Sequence, residues 1–539
     1  MPITELLSRN ARLYSDETSL IEREPAIGSR REISWKEFEE QANRFANALI
    51  KYGIERGDKV IILLMNCLEW LPIYFGILKT GAMAVPLNFR FTAEEIAKCT
   101  EVAEAKVFVY GPEFIERVHQ IRHNIPFINQ FIFVDTNCCD HIQGQFPGNN
   151  SCINIENSDI LYSAIQREYS AEDPGIEICD YEDAALYFTS GTTGIPKPIV
   201  LTHANLLSSG ITESRHHLQN RSDNFLCIPP LYHTGAKMHW FGSLITGSKA
   251  VILKGVKPQW IIETISEEKV TIVWLLVPWA QDILDAIESG EINPEDYRLD
   301  QWRLMHIGAQ PVPPSLIKRW KKVFPHHQYD TNYGLSEATG PGCVHLGIEN
   351  IHKVGAIGLP GHNWEAMIVD ERGNPVPDGT VGELIVRGPG VMKGYYKNPE
   401  ATAKVLKNGW LYTGDMAKKD EDGFIYLVDR KKDIVISGGE NIFPVEIENF
   451  LMAHEDIKDA AVIGMPDKRL GEVPVAVVEC KPGREITQSM IIEYCQCLPK
   501  YKRPRQVFFD KIPRNPTGKI EKVKLREKWC NISSSFVVR

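Results

Sequence analysis

The sequence predicts an α/β protein with a large N-terminal body of parallel sheets covered by helices, a β-rich subdomain, and a small α/β domain at the C-terminal end. Three observations predict it. Apolar runs of strand length alternate with longer amphipathic segments from about residue 33 to 340. After about residue 355 the texture changes to Gly- and Pro-punctuated strands, as in EAMIVDERGNPVPDGTVGELIVRGPG. From about residue 432 helix and strand patterns alternate again over about a hundred residues, the size of one small domain.

In chain order, KVIILLM (59–65) reads as a buried strand, EWLPIYFGILKTG (69–81) as a helix and AVPL (84–87) as a strand. TAEEIAKCTEVA (92–103) follows as a helix and KVFVYG (106–111) as a strand. Residues 135–182 are polar and Asn/Asp-rich, a surface excursion before the most informative segment. LYF, FLCIPP, KAVILKG, VTIVWLLV, LMHIG and HQYDTNYG then resume the strand-then-turn rhythm. The charged DRKKD at 429–433 marks the domain boundary, with residues 1–431 forming the N-terminal domain (β-rich from about 355) and 432–539 the C-terminal domain.

Composition narrows the function classes. Hydrophobic residues make up 43% and charged residues 24%, which excludes a disordered or fibrous chain. With 60 Lys and Arg against 70 Asp and Glu the net charge is −10, and no basic face is advertised for nucleic acid. The longest apolar stretch, VTIVWLLVPWA (270–280), is too short to span a bilayer, and the N-terminus lacks a secretory apolar run. A cytoplasmic protein is expected, its 12 scattered cysteines reduced and used for packing.

The strongest local signal is YFTSGTTGIPKPIVLTHANL (187–206). An apolar strand runs into Thr189, Ser190, Gly191, Thr192, Thr193, Gly194 and Lys197. Glycines turn backbone N–H groups toward one point, hydroxyls add donors and the lysine adds charge, which makes a polyphosphate cradle. The spacing is not that of a P-loop, because Pro196 precedes the lysine. Downstream, YGLSEATG (333–340) offers Tyr333, Gly334, Ser336 and Glu337; WLYTGD (410–415) ends in Asp415; DRKKDIVISGGENI carries Arg430, Lys432, Gly438 and Gly439; and RNPTGKIEK (514–522) presents Lys519. Each of these alone also fits ordinary surface or turn chemistry.

In this order, with PPLYHTGA (229–236) and GELIVRGPGVMKGYY (382–396), the motifs resemble the ANL adenylate-forming enzymes over essentially the whole chain. That group includes acyl-CoA synthetases, amino-acid adenylation domains and beetle luciferases, and the acyl-CoA synthetase branch is the expectation here. The resemblance implies a two-step reaction in which a carboxylic acid, ATP and Mg²⁺ give an acyl-adenylate and pyrophosphate, and coenzyme A then gives acyl-CoA and AMP. It implies that Thr189 to Lys197 hold the β/γ-phosphates, Glu337 the Mg²⁺, Ser336 an α-phosphate oxygen, and Tyr333 with Gly334 the adenine. Asp415 and Arg430 would hold the ribose, and Lys519 would bridge the carboxylate and the nucleotide, with His233 beside the acid. Lys432 falls at the family's hinge, and Gly438 and Gly439 would pass beside the pantetheine arm after the small domain swings.

The rival readings are loading of a free-standing carrier-protein thiol, and a noncatalytic acyl-nucleotide binder. A homodimer is open, and no nucleic acid or transmembrane segment is expected. Pro198 follows Lys197 where the family usually has glycine, removing one N–H. KYKRPR (500–505) is either a grip for a CoA phosphate or a solvated patch. In TGAKMHWFGSLITG, which would line the acid pocket opposite HIGAQP (306–311), Lys237 either snorkels to the surface or pairs with a second carboxylate. The expected acid is medium-chain, branched, cyclic or aromatic.

Overall fold

The computed structural model describes residues 1–135, 156, 158–189, 197–308, 312–438, 440–514 and 519–536. Local sequence signals set several helix starts. Ser34 with Glu37 and Thr92 with Glu95 form reciprocal capping boxes at the helices Trp35–Lys51 and Ala93–Ala103, and Thr202 with Asn205 does the same at His203–His216.

Two predominantly parallel sheets form the large body. One runs, edge to edge, through Gly394–Tyr395, Lys197–Thr202, Asp183–Thr189, Met83–Pro86, Lys59–Leu63, Val107–Tyr110, Gln130–Phe133 and Ile160–Leu161. The other runs through Gln328–Asp330, Leu304–Gly308, Ile272–Leu276, Asn224–Cys227, Lys249–Leu253, Thr18–Glu24 and Ser29–Ser34. A shared core lies between them, in which Val60, Ile62 and Ala84 of the first sheet and Phe225, Ala250 and Ile272 of the second join one cluster with Trp35, Phe38, Trp70, Phe75 and Trp240. The helix Trp70–Lys79 has every residue buried, as expected for a helix enclosed on all sides. The helix Thr234–Thr246 is buried from Thr234 through Leu244.

Wholly antiparallel sheets begin at the hairpin Asn332–Leu335 with Gly340–His345. They continue through Glu365–Val369, Gly382–Arg387, Trp410–Lys419 and Ile425–Arg430, with Tyr333, Trp364, Leu384 and Leu411 in a common core. After Lys431 a second, separate sheet starts at Val435–Ser437 and contains the long hairpin Ile457–Asp467 with Gly471–Cys480. The helices Pro444–Met452 and Gln488–Tyr494 pack on one side of it through Ile447, Leu451 and Ile491, and Lys522–Phe536 packs on the other through Leu525. Among the described residues no helix is long and apolar enough to cross a membrane.

Candidate active site

The strands Trp410–Lys419 and Ile425–Arg430 pair in a register that sets Asp415 opposite Arg430. Arg430 Nε lies 2.8 Å from Asp415 Oδ1, and the Tyr333 hydroxyl donates to Asp415 Oδ2 at 2.5 Å. Burial, with Asp415 beside it, pushes the Tyr333 phenol well above its usual range, so it stays a donor. The carboxylate is thus oriented by one cation and one hydroxyl, a fixed pair of acceptor oxygens suited to a vicinal diol.

Tyr333 lies in the strand that leads into the turn Ser336–Ala338, which carries Ser336 and Glu337. Gly334 is required there by close approach, since a Cβ would stand 1.9 Å from the Gly340 carbonyl oxygen. Glu337 Oε1 accepts from the Tyr395 hydroxyl at 2.9 Å, and the Glu337 carbonyl accepts from Met392 N at 2.8 Å. The strand Gly394–Tyr395 adds to Lys197–Thr202 in the first sheet, which brings Lys197 Nζ over the Tyr395 ring at 5.3 Å. Tyr395 therefore ties the lysine of the phosphate-loop motif to the carboxylate of YGLSE. It stands in a motif recognised in the sequence, GELIVRGPGVMKGYY, but no local pattern marks it as a site residue.

His233 caps the helix Thr234–Thr246, its Nδ1 accepting from Gly235 N at 3.2 Å, which leaves the proton on Nε2. Burial, then the positive fields of Lys519 and Lys237, lower its pKa to about 3, so the imidazole is neutral. Lys519 is itself lowered to about 8, by burial and by Arg430, with Asp415 and Glu337 opposing. One lysine of the C-terminal domain thus shares the electrostatic neighbourhood of Arg430, Asp415, Glu337, Lys432 and His233. Lys432 stands exposed in the turn between the last strand of the large body and the first of the small one. Gly438 has φ +60° and donates to the Leu470 carbonyl at 2.7 Å, the left-handed turn that closes the strand Val435–Ser437.

A polar network underlies this site. Glu213 and Asp330, both fully buried, are bridged by His345, whose Nε2 is 3.0 Å from Glu213 Oε1 and whose Nδ1 is 3.1 Å from Asp330 Oδ2. Burial works against a charge on His345, but the two carboxylates outweigh it and hold its pKa up at about 10. His239 Nε2 meets Glu213 Oε2 at 3.0 Å, His217 Nε2 meets Asp330 Oδ2 at 3.3 Å, and His217 Nε2 lies 2.9 Å from His306 Nδ1. Asn332 donates to both Glu213 oxygens at 2.8 and 3.0 Å, so the network anchors the strand that carries Tyr333. These residues come from five separate segments, and no spacing in the sequence connects them.

The alternatives left open at Lys237 and at KYKRPR are narrowed. Lys237 does not snorkel; it is fully buried, and its ammonium nitrogen has no hydrogen-bond partner. His239 belongs to the polar network and stacks on Trp274 at 4.4 Å, while Trp240 packs on Phe38 and Phe75 in the core. In KYKRPR, Lys502 pairs with Glu446 and Arg503 donates to the Leu498 and Gln496 carbonyls, so two of its four cations serve the fold. Ser190, Gly191, Thr192, Thr193, Gly194 and Gly439 lie outside the described residues, as do residues 309–311 of HIGAQP. The backbone of Thr189 ends the strand Asp183–Thr189 that leads to them.

Residues 7–396 match the family model described as AMP-binding enzyme, and residues 446–519 match that of the AMP-binding enzyme C-terminal domain. The chain is 30% identical over 490 residues to the long-chain-fatty-acid–CoA ligase FadD13 of Mycobacterium tuberculosis, covering 90% of this chain and 91% of that one. It is 30% identical to the 2-succinylbenzoate–CoA ligase of Bacillus cereus, covering 92% of this chain and 93% of that one. The solved structure of the anthranilate CoA ligase AuaEII with anthranoyl-AMP superposes with a TM-score of 0.86 at 25% identity, covering 99% of this chain and 98% of that one. Paired domains in the expected order, relatives matched nearly end to end and a shared fold place the chain in the AMP-binding enzyme family, the ANL adenylate-forming group, among its acid:CoA ligases.

Proposed function

We propose that the chain activates a medium-chain, branched, cyclic or aromatic carboxylic acid with ATP and transfers the acyl group to coenzyme A. In the first step a carboxylate oxygen bonds to the α-phosphorus and the bond to pyrophosphate breaks. In the second the CoA sulfur bonds to the acyl carbon, the bond to AMP breaks, and the thiol proton leaves.

The observation that carries this reading is the position of Lys519 within the fields of Asp415, Arg430, Glu337 and His233. A carboxylate approaching a polyanionic nucleotide is repelled, and a half-buried ammonium at the meeting point offsets that repulsion in the transition state. In this reading Asp415 accepts from the ribose hydroxyls, Tyr333 and Gly334 border the nucleoside, and Ser336 donates to the α-phosphate. The segment Thr189 to Lys197 holds the β/γ-phosphates. The neutral His233 donates from Nε2 toward the acid without adding charge. Glu337 fits a Mg²⁺ ligand, because it is a hard oxygen donor with one oxygen held by Tyr395 and the other not held by that hydroxyl. When bound, the ion neutralises phosphate charge and orients the leaving group.

Rotation about Lys432 would withdraw Lys519 after the first step and bring Gly438 and Gly439 to the thiol. The proposed setting is the cytoplasm, where ATP and CoA are both supplied. The reading is tested by pyrophosphate and AMP release across a panel of acids, with and without CoA, for wild type and Lys519→Ala. CoA-dependent AMP formation that drops on the order of 10²–10³-fold in the variant is expected. Pyrophosphate release with no CoA-dependent turnover would instead indicate a carrier-loading enzyme, and silence with every acid a binder.

A further inference from the structure

Lys237 is a charge-bearing group for which the proposed reaction has no use. It lies one turn, about 6 Å of helix rise, beyond His233 on the helix Thr234–Thr246. Its side chain is fully buried and its Nζ makes no hydrogen bond. Three rings surround the nitrogen, Tyr74 and Tyr187 at 4.4 Å each and Trp70 at 5.0 Å from their centroids. Burial alone lowers its pKa, and no carboxylate among the described residues acts on it.

A purely structural residue here would be a methionine or leucine, which fills an aromatic cage without desolvating an amine. The cage instead suits a cation, since ring faces attract it without neutralising it. It also holds a donor, because the Tyr74 and Tyr187 hydroxyls lie 3.2 Å apart and only one of them need donate to the other. What the arrangement lacks is an anion. Its place is set by His233, the cap residue one helical turn before Lys237; the His233 carbonyl oxygen lies 3.5 Å from Lys237 N. A ligand that puts its reacting carboxylate at Lys519 spans the His233 imidazole to reach Lys237.

We propose that Lys237, with the Tyr74 and Tyr187 hydroxyls, is the receptor for a second anionic group of the substrate, and that the acid activated by this enzyme is a compact dicarboxylic acid. This rests on the acid:CoA ligase reading and gives its acid a chemical class. Tyr187 stands in the strand that leads to the phosphate-loop motif, so the receptor is built on the same strand as the nucleotide site. Because burial disfavours the charged amine, binding of the second carboxylate favours proton uptake there.

The experiment pairs succinate, glutarate, adipate and phthalate with butyrate, valerate, hexanoate and benzoate in the AMP-release assay, on wild type and Lys237→Met. At least one diacid is expected to exceed its monoacid partner on the order of 10²-fold in kcat/KM, the size of a desolvated ion pair in a binding site. In Lys237→Met that diacid falls by a similar factor and its monoacid partner rises. A wild-type preference for every monoacid, or equal loss for both acids in the variant, would overturn the inference while leaving the ligase standing. No release with any acid would sink the ligase reading. Calorimetry of diacid binding to wild type, in two buffers of different ionisation enthalpy, then decides the inference by itself. Proton uptake on diacid but not monoacid binding supports it, and no binding or no difference overturns it, whether or not the variant folds.

Discussion

In the proposed mechanism Lys519 carries the charge that the first half-reaction needs, and its burial sets the pH at which that charge is kept. With its pKa lowered from 10.5 to about 8, the ammonium is complete below that pH and lost above it. Adenylation is therefore expected to fall about tenfold per pH unit above pH 8, measured as acid-dependent ATP–pyrophosphate exchange. In Lys519→Arg the guanidinium keeps its charge, so whatever activity remains should not show that alkaline limb. Thioester formation from supplied acyl-adenylate should show neither effect. His233 adds no alkaline limb, because its pKa of about 3 keeps it neutral throughout. Both residues were legible in the sequence as members of PTGK and PPLYHTGA. Their protonation states were not, because each depends on burial and on cations contributed by distant segments.

The strands Gln328–Asp330, Asn332–Leu335 and Gly340–His345 are joined to the helix His203–His216 through Glu213, Asp330 and His345. The sign of the pH effect follows from the direction of each shift. His345 is raised from 6.5 to about 10, so its contribution to stability is complete below pH 6.5 and lost as pH rises through 10. Despite burial, the histidines hold Glu213 and Asp330 well below 4.5 and 3.8, so their contribution is present above those values and lost on acidification. The network is accordingly at its strongest between about pH 4.5 and 6.5. His345→Gln is expected to cost about 3 kcal/mol near pH 6, where it leaves two buried carboxylates without their shared cation. Chemical denaturation against pH should show the difference from wild type shrinking toward pH 10. An unchanged difference across that range would mean that the bridge is not ionic.

At the scale of the molecule, the two bodies meet at the site and also along a cleft of about 250 Å³. Asp285 and Arg319 of the large body and Lys458 and Lys481 of the small one line it, and the exposed Asp282 lies in the field of Lys458. In the proposed mechanism, complementary charge across this cleft favours the orientation that keeps Lys519 at the nucleotide site. The double change Lys458→Glu, Lys481→Glu should therefore lower adenylation several-fold, a coupling of about 1 kcal/mol. It should leave the thioester half-reaction equal or faster, as measured in single-turnover assays of each step. Equal loss in both half-reactions would show that the cleft serves stability alone.

The sequence by itself determined the architecture and the family, and it supplied most of the residue types of the proposed site. Parallel strands, capping boxes and motif turns are local, so SGTTG, YGLSE, YTGD and PTGK can be read from adjacent residues. What it left undecided is whatever depends on contacts between distant segments. Tyr395 meets Glu337 because a two-residue strand returns to the first sheet beside Lys197. Glu213, His217, His239, His306, Asp330 and His345 converge because two helices and the strands of two sheets pack together. Lys237 could be read as a snorkelling surface cation or as a buried lysine paired with a second carboxylate, and only the packing of Trp70, Tyr74 and Tyr187 around it shows that it is buried. The physical reason is that backbone conformation is encoded over a few residues, whereas burial, and with it protonation and partner, is set by which faces the fold closes together.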